Sequence, residues 1–488
     1  MYLKCLLAIV TAFIFSTTVA AQNWTSASDS VLRRDVELLK NYGLISGPVN
    51  TWPLSWKQIT RGINNINTND DAPYPAHVMR AISRTLRKSP NKGWRLSTDL
   101  RFSNEPKLVR GFGDTARSET DISLALAYQN KNIDAQIEVN FRESDGIKNT
   151  SLDGSYIATN IGNWSLYAGA IDRWWGPGQD NTLLLSTNAR PMASIGFRRN
   201  EPKPFESKWL SWVGPWTWDM FVANMGENRH IPNALMVGMR LSFAPFNNLE
   251  VGLSRSMQLC GNNRPCDFKT WTKALISFGD LDNTGKLSEP GNQMASIDFA
   301  YTKQLNDKSL RMYFSGTAED QNVIMPFQYA RLLGATLTKP IGEKGDSLAF
   351  NMEWSDSGNK LAWFFGKRSR DVIYNHFIYR TGHRYDGRTL GHSLDNDSKL
   401  VSFTTTYDRA DGTTYSLSLR SANINWDRNN TNIISRTRKV YKSIEASATK
   451  LFDYGNIKLS LIMQSRVQTL TQGTLPRFSA DIVWQKHF

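Results

Sequence analysis

The chain has 488 residues, a formal net charge of +14 and a mean hydropathy of −0.43, with 16 Trp, 16 Tyr and 23 Phe. Beyond the N-terminus no stretch approaches the roughly 20 apolar residues of a spanning helix, which excludes a helical membrane protein. For an exported chain the basic excess argues against nucleic acid; it suits lipopolysaccharide phosphates or an acidic polysaccharide, or charges scattered for solubility.

Export is read from the first residues. Lys4 precedes an apolar run over 6–15, and Val19-Ala20-Ala21 precedes Gln22, the layout of a secretory signal (1–21) removed after Ala21. Cys5 lies too early to be a lipidated cysteine. The two remaining cysteines sit in Cys260-Gly-Asn-Asn-Arg-Pro-Cys266, and an even count in an exported chain favours a disulfide. Zinc would need two further ligands, and no His is close in sequence, so no metal and no cofactor are expected.

Residues 22–92 read as a small helical bundle. Ser28 or Asp29 can cap a first helix bearing Leu32, Val36 and Leu39 on one stripe and stopping at Gly43. A second opens at Ser55-Trp-Lys-Gln58, the spacing of a capping box. A third starts near Pro75, carries Val78, Met79, Ile82 and Leu86, and ends before Pro90. With Trp52, Trp56 and Tyr74 between them, these helices are too small a unit to stand alone and are expected to pack against something larger.

From about residue 93 the period becomes two. Leu96, Thr98, Leu100 and Phe102 alternate with Ser97, Asp99 and Arg101; Ile122, Leu124, Leu126 and Tyr128 form another such face. Ala135, Ile137, Val139 and Phe141 alternate with Gln136, Glu138, Asn140 and Arg142. The pattern returns at 164–170, 235–243, 401–407, 415–419 and 457–463. It ends with Phe478, Ala480, Ile482, Trp484 and Lys486 on one, mostly apolar face and Arg477, Ser479, Asp481, Val483, Gln485 and His487 on the other, mostly polar one, the chain stopping at Phe488. A greasy outside and a wet inside suit a transmembrane β-barrel. At roughly 22 residues per strand and connection, residues 93–488 allow about eighteen antiparallel strands, and bacterial barrels have even counts. The expected fold is an all-β outer-membrane barrel of about that size, its periplasmic side plugged by the helices.

Short turns (129–132, 161–163, 408–412, 452–455) alternate with longer links, as barrels place short turns in the periplasm and long loops outside. Counts from the two ends put the disulfide loop and residues 368–397 both outside, but disagree by one strand between Leu305 and Asp346.

Gly169-Ala-Ile-Asp-Arg-Trp-Trp-Gly-Pro-Gly178 and Leu183-Leu-Leu-Ser-Thr-Asn-Ala-Arg-Pro-Met192 resemble the capsule assembly Wzi family of Gram-negative outer membranes. Gly43-Leu-Ile-Ser-Gly-Pro48, Trp52-Pro-Leu-Ser-Trp56 and the Cys260–Cys266 loop fit it too. The resemblance spans essentially the whole mature chain; its Trp-Trp-Gly-Pro-Gly and Asn-Ala-Arg-Pro elements are the specific part. It implies an eighteen-stranded barrel closed by the N-terminal helices, and a surface lectin that holds capsular polysaccharide without synthesising it. Read physically, Trp174 and Trp175 cannot both face lipid on one strand. Asp172, Arg173, Trp174, Trp175 and Arg190 either knit an inward loop to the barrel wall as a lumen plug or offer aromatic and polar groups to sugar.

The outer loops are the better binding candidates. Residues 258–290 carry Arg264, Lys269, Trp271 and Lys273; residues 368–397 carry Arg368, Arg370, Tyr374, His376, Tyr379, Arg380, His383, Arg384, Tyr385 and Arg388. From these Arg264, Trp271, Arg370, Tyr374, Tyr379, Arg384 and Tyr385 are singled out, with Arg pairing the carboxylates of an acidic glycan. Alternatively the same residues bind lipopolysaccharide phosphates or one another. An enzyme is not expected: the six His (77, 230, 376, 383, 392 and 487) lie in no nucleophile motif, and Gly-x-Ser-x-Gly is absent. A sugar or anion porin is the stronger rival, separated from a lectin by whether the bore conducts. A monomer is expected.

Overall fold

The computed structural model describes residues 24–64, 66, 74–90, 92–114, 117–130, 132–144, 146–276, 291–319, 328–361, 368–369, 371–428 and 430–487. Eighteen antiparallel staves close into one barrel. They are β1 (Gly93–Ser103), β2 (Thr120–Gln129), β3 (Ile133–Ser144), β4 (Ile147–Ser151 continued by Tyr156–Ile161), β5 (Trp164–Ala170) and β6 (Ala193–Arg199). Then follow β7 (Trp216–Asn224), β8 (Leu235–Phe246), β9 (Leu249–Leu259), β10 (Gly291–Leu305), β11 (Lys308–Glu319) and β12 (Gln328–Ile341). The last six are β13 (Asp346–Leu361), β14 (Lys399–Asp408), β15 (Thr414–Ile424), β16 (Lys439–Phe452), β17 (Gly455–Gln464) and β18 (Phe478–His487). The seam closes where β18 pairs with β1, Leu100 opposite Trp484.

The alternation that predicted strands is an inside-out burial pattern. In β3, Ile137 is 64% exposed on the outer wall while Asp134 is 1% exposed inside. In β18, Phe478, Ala480 and Ile482 face out, and Ser479 and Asp481 are buried. The disputed stretch holds both β11 and β12, and with both strands counted the two ends agree.

Seven connections at one end are two to five residues long, and the eighth there spans residues 200–215. The opposite end carries the long loops, including the Cys260–Cys266 disulfide, which is formed, and residues 371–398.

The helices sit inside the short-turn end. In α1 (Ser30–Asn41) the Asp29 carboxylate accepts from the Leu32 amide at 2.9 Å, making Asp29 rather than Ser28 the cap. Helix α2 (Trp56–Thr60) begins after Ser55, but the expected capping box does not form: Gln58 donates instead to the carbonyls of Ser46 and Pro48. Helix α3 (Ala76–Lys88) buries Val78 and Ile82 against Leu32, Val36 and Leu39. The bundle is tied to the wall by ions. Arg34 binds Asp408 of β14 and Lys40 binds Glu250 of β9, while within the bundle Arg84 of α3 binds Asp35 of α1 through two bonds of 2.6 and 2.5 Å.

Candidate functional site at the long-loop mouth

Residues 171–192, between β5 and β6, fold into the lumen instead of outward. Trp174 and Trp175 form a two-residue strand paired with Thr51 and Trp52, Trp52 opposite Trp174. Adjacent strand residues point in opposite directions, so the pair serves two cores. Trp174 enters the helical core with Trp52 and Phe112; Trp175 enters the plug core with Leu183, Phe221 and Met236. Both indoles are buried. Gly176 adopts φ +132°, and a Cβ at Gly178 would lie 2.0 Å from the Asn181 carbonyl, so this turn requires glycine.

Charged wall residues grip the turn. Glu353 of β13 accepts from the Gln179 amide (2.7 Å), the Asn181 amide (2.9 Å) and the Tyr313 hydroxyl (3.0 Å). Arg420 of β15 holds both oxygens of Asp180 at 2.9 and 3.0 Å and also Glu445. Arg33 of α1 donates to the Pro177 carbonyl. Arg173 is buried, donating to the Tyr167 hydroxyl and lying 4.0 Å over the Phe221 ring. Asp172 pairs with Arg117, and Arg190 clasps Asp153 and reaches Asp386. A carboxylate or guanidinium on the inward face of a strand was the available signal for Glu353 and Arg420, and sequence reasoning did not single them out. A cavity of about 170 Å³ remains between the bundle, the plug turn and the β11–β17 wall.

The 371–398 loop also folds inward, lying over the plug. The Tyr374 hydroxyl donates to the Leu183 carbonyl at 2.6 Å and accepts from the His392 amide. Arg384 makes a two-bond pair with Asp395 (2.9 and 2.8 Å) and donates to the Asn375 side chain. The Tyr379 hydroxyl donates to the Cys260 carbonyl, with Arg264 5.7 Å above its ring, joining this loop to the disulfide loop.

The sequence-based candidates therefore divide. Tyr374, Tyr379 and Arg384 are buried, so the expectation that they line an open loop surface is corrected: they hold the loop's own shape. Tyr385 and Arg264 are half-buried at the mouth. Trp271, on α4 (Phe268–Ile276), is half-buried against Val237, Met257 and Leu259 on the outer face of the wall, so it stands apart from the inward-folded loops of the mouth. Arg370 lies outside the described residues. Residues not singled out as binders but exposed beside these are Phe268, Lys269, Phe377 and Arg380.

Burial in the loop pushes the His383 imidazole down to about 4 and that of His392 to about 3. His392 lies 2.9 Å from the Ser355 hydroxyl, a pairing that resembles half of a catalytic dyad. Its Nδ1 accepts from the Leu394 amide, however, so Nε2 carries the proton and donates to Ser355 rather than withdrawing its hydrogen. Both residues are fully buried. Among the described residues no three His, Cys, Asp or Glu side chains are grouped to hold a metal ion.

Comparison with known proteins follows the same architecture. A protein of Klebsiella pneumoniae described as an uncharacterized 55.8 kDa protein in the cps region is 32% identical over 277 residues, 56% of this chain. That match spans about half of the relative's length, 54%. A solved structure of Wzi from Escherichia coli, an outer-membrane protein involved in group 1 capsule assembly and described as a carbohydrate-binding β-barrel, superposes with a TM-score of 0.80 at 24% identity. The superposition covers 96% of this chain and all of that one. The family model for capsule assembly protein Wzi matches residues 97–472, from the first stave to the last long loop. The chain belongs to the capsule assembly protein Wzi family.

Proposed function

We propose that this protein is a non-catalytic lectin of the Gram-negative outer membrane that holds an acidic capsular or extracellular polysaccharide at the cell surface. In this reading residues 1–21 are a cleaved signal, the bundle of residues 22–92 faces the periplasm, and the long-loop mouth faces outward among lipopolysaccharide. The protein acts as a monomer and needs no cofactor. The observation that carries the reading is the closed lumen. Two long loops and a helical bundle fill the bore through buried ion pairs, leaving the half-exposed aromatic and basic groups of the mouth as the surface a polymer meets. Arg264, Arg380, Tyr385 and Phe377 offer guanidinium groups for carboxylates beside flat apolar faces for sugar rings. The donor role of His392 and the burial of Ser355 support the absence of catalysis, and family membership supports the link to capsule assembly.

The test is equilibrium binding of the purified protein to exopolysaccharide from its own organism, before and after reduction of the uronate carboxyls. Binding that falls on reduction is expected; no binding to either form refutes the lectin. A deletion strain is expected to make the polymer but shed it into the medium. Conductance in planar bilayers addresses transport: the plugged bore predicts silence, whereas steady open channels would favour a porin.

A further inference from the structure

Every other connection at the short-turn end is two to five residues long, but β6 and β7 are joined by residues 200–215. This segment reads Asn200-Glu-Pro-Lys-Pro-Phe-Glu-Ser-Lys-Trp-Leu-Ser-Trp-Val-Gly-Pro215. Three of its apolar side chains are displayed while Val213 is buried: Trp209 is 87% exposed, Trp212 64%, and Leu210 is exposed beside them. At the end of neighbouring β8, Phe246 is 66% exposed.

The loop is nonetheless held firmly. Phe205 stacks on Trp216 at 4.7 Å, and Arg199 donates to the carbonyls of Lys203 and Trp216. Glu201 is buried at the base, paired with Arg61 of the bundle. A 3-10 turn at Ser211–Val213 rests on β8, where Gly214 approaches the Ala244 carbonyl too closely for a Cβ. Trp212 meets Phe243 edge-on at 6.5 Å. Phe243 alternates with the buried Arg240 and Ser242, so it belongs to the barrel's outer, lipid-facing wall.

The patch is continuous with an aromatic girdle around the same end. Trp94 packs on Tyr128, Trp164 on Phe197 and Trp216, and Phe452 on Tyr454. Such girdles mark the level where a barrel leaves the hydrocarbon, because Trp and Tyr combine an apolar ring with a polar edge. Lys203 and Lys208 are exposed on the same loop, together with Glu206; Lys203 lies 3.9 Å from Glu201, and both ammonium groups sit on stems long enough to reach the headgroup layer while the rings lie deeper. A firmly held loop that projects two indoles from the rim, outside the girdle and flanked by lysines, has the composition of an interfacial anchor.

We propose that residues 203–213 dock into the phospholipid headgroup–acyl boundary at the short-turn end, with Trp209, Leu210 and Trp212 immersed and Lys203 and Lys208 toward lipid phosphates. The anchor stands on one side of the barrel only, beside β6–β8, and so fixes the barrel's depth and tilt. This rests on the barrel standing in a membrane and is independent of sugar binding.

The test uses the full chain with its native disulfide, carrying a single introduced cysteine at Trp209→Cys or Leu210→Cys and a nitroxide label. Asn306→Cys, in the exposed β10–β11 turn, is the aqueous reference. Proteins are reconstituted in phosphatidylethanolamine–phosphatidylglycerol vesicles, and retained folding is checked by heat-dependent gel mobility. Collision with oxygen relative to a water-soluble nickel chelate is then measured. At 209 and 210 the oxygen-to-nickel ratio is expected to be several-fold above that at 306. A ratio equal to the reference at both positions overturns the proposal and leaves the patch as a surface for a soluble protein. Loss of glycan binding with the ratio intact would sink the lectin reading and leave the anchor standing.

Discussion

Replacing Glu353 by Gln isolates the clamp that holds the plug turn to the wall. The carboxylate accepts three hydrogen bonds, two on one oxygen (the Gln179 amide and the Tyr313 hydroxyl) and one on the other (the Asn181 amide). A carboxamide has one oxygen, so in either orientation at least one backbone N–H faces an NH₂ group. Orphaning a buried donor costs about 2 kcal/mol, which is roughly a thirtyfold rise in the population of the undocked turn. Hydrogen exchange read by mass spectrometry on peptides covering residues 171–192 reports that population directly. Exchange there is expected to accelerate by one to two orders of magnitude, while peptides from β15 to β17 keep their wild-type rates. Unchanged exchange at 171–192 in a folded Glu353→Gln protein would show that the turn is held by other contacts and refute the clamp.

Arg420→Met leaves the Asp180 carboxylate without its guanidinium partner. Stranding a buried charge costs about 3–5 kcal/mol, so the temperature at which the folded gel band converts to the unfolded one is expected to drop; an unchanged midpoint would contradict a structural role for the pair. His383 and His392 have folded pKa values of about 4 and about 3, below the ordinary value of 6.5. A lowered base is stabilising while neutral, so the loop's stability is complete above pH 6.5 and declines as pH falls toward 4. Proteolysis within residues 371–398 should therefore quicken at pH 5 relative to pH 7 with an acid-tolerant protease, and equal rates would refute the assignment. Arg264→Ala with Arg380→Ala removes two mouth cations and is expected to weaken binding of acidic polymer about tenfold, or roughly 1.4 kcal/mol. The loss should shrink in high salt; binding unaltered at low salt would move the site elsewhere.

Much of the barrel was legible because its strands invert a simple rule at every second residue. Ile137 and Phe141 against Asn140 and Arg142, or Ile482 against Asp481, announce an apolar outside and a polar inside without any knowledge of neighbours. Helix α1 was equally plain, its stripe of Leu32, Val36 and Leu39 bounded by Asp29 and Gly43. The count failed across β11 and β12, where apolar Leu332 faces the lumen next to Leu333 and blurs the period of β12. The direction of the long loops was harder. In a water-soluble domain a segment bearing Tyr374, His383 and Arg384 is read as surface, since burying such groups without partners is costly. A barrel lumen is lined with carboxylates, hydroxyls and open carbonyls that satisfy them, so the same composition is compatible with the inside. Only the partners, Asp395 for Arg384 and the Leu183 carbonyl for Tyr374, distinguish the two, and they lie far away or in no detectable pattern.

The tethering of the 371–398 loop by Tyr374, Tyr379 and Arg384 bears on affinity as well as shape. A recognition surface made of slack segments must surrender their freedom each time a ligand arrives, about 0.5–1.5 kcal/mol for every flexible side chain stilled. On the proposed lectin reading that freedom is given up once, on folding, and a long carbohydrate would meet a mould already set. Weak contacts repeated along such a polymer would then add with little entropic deduction.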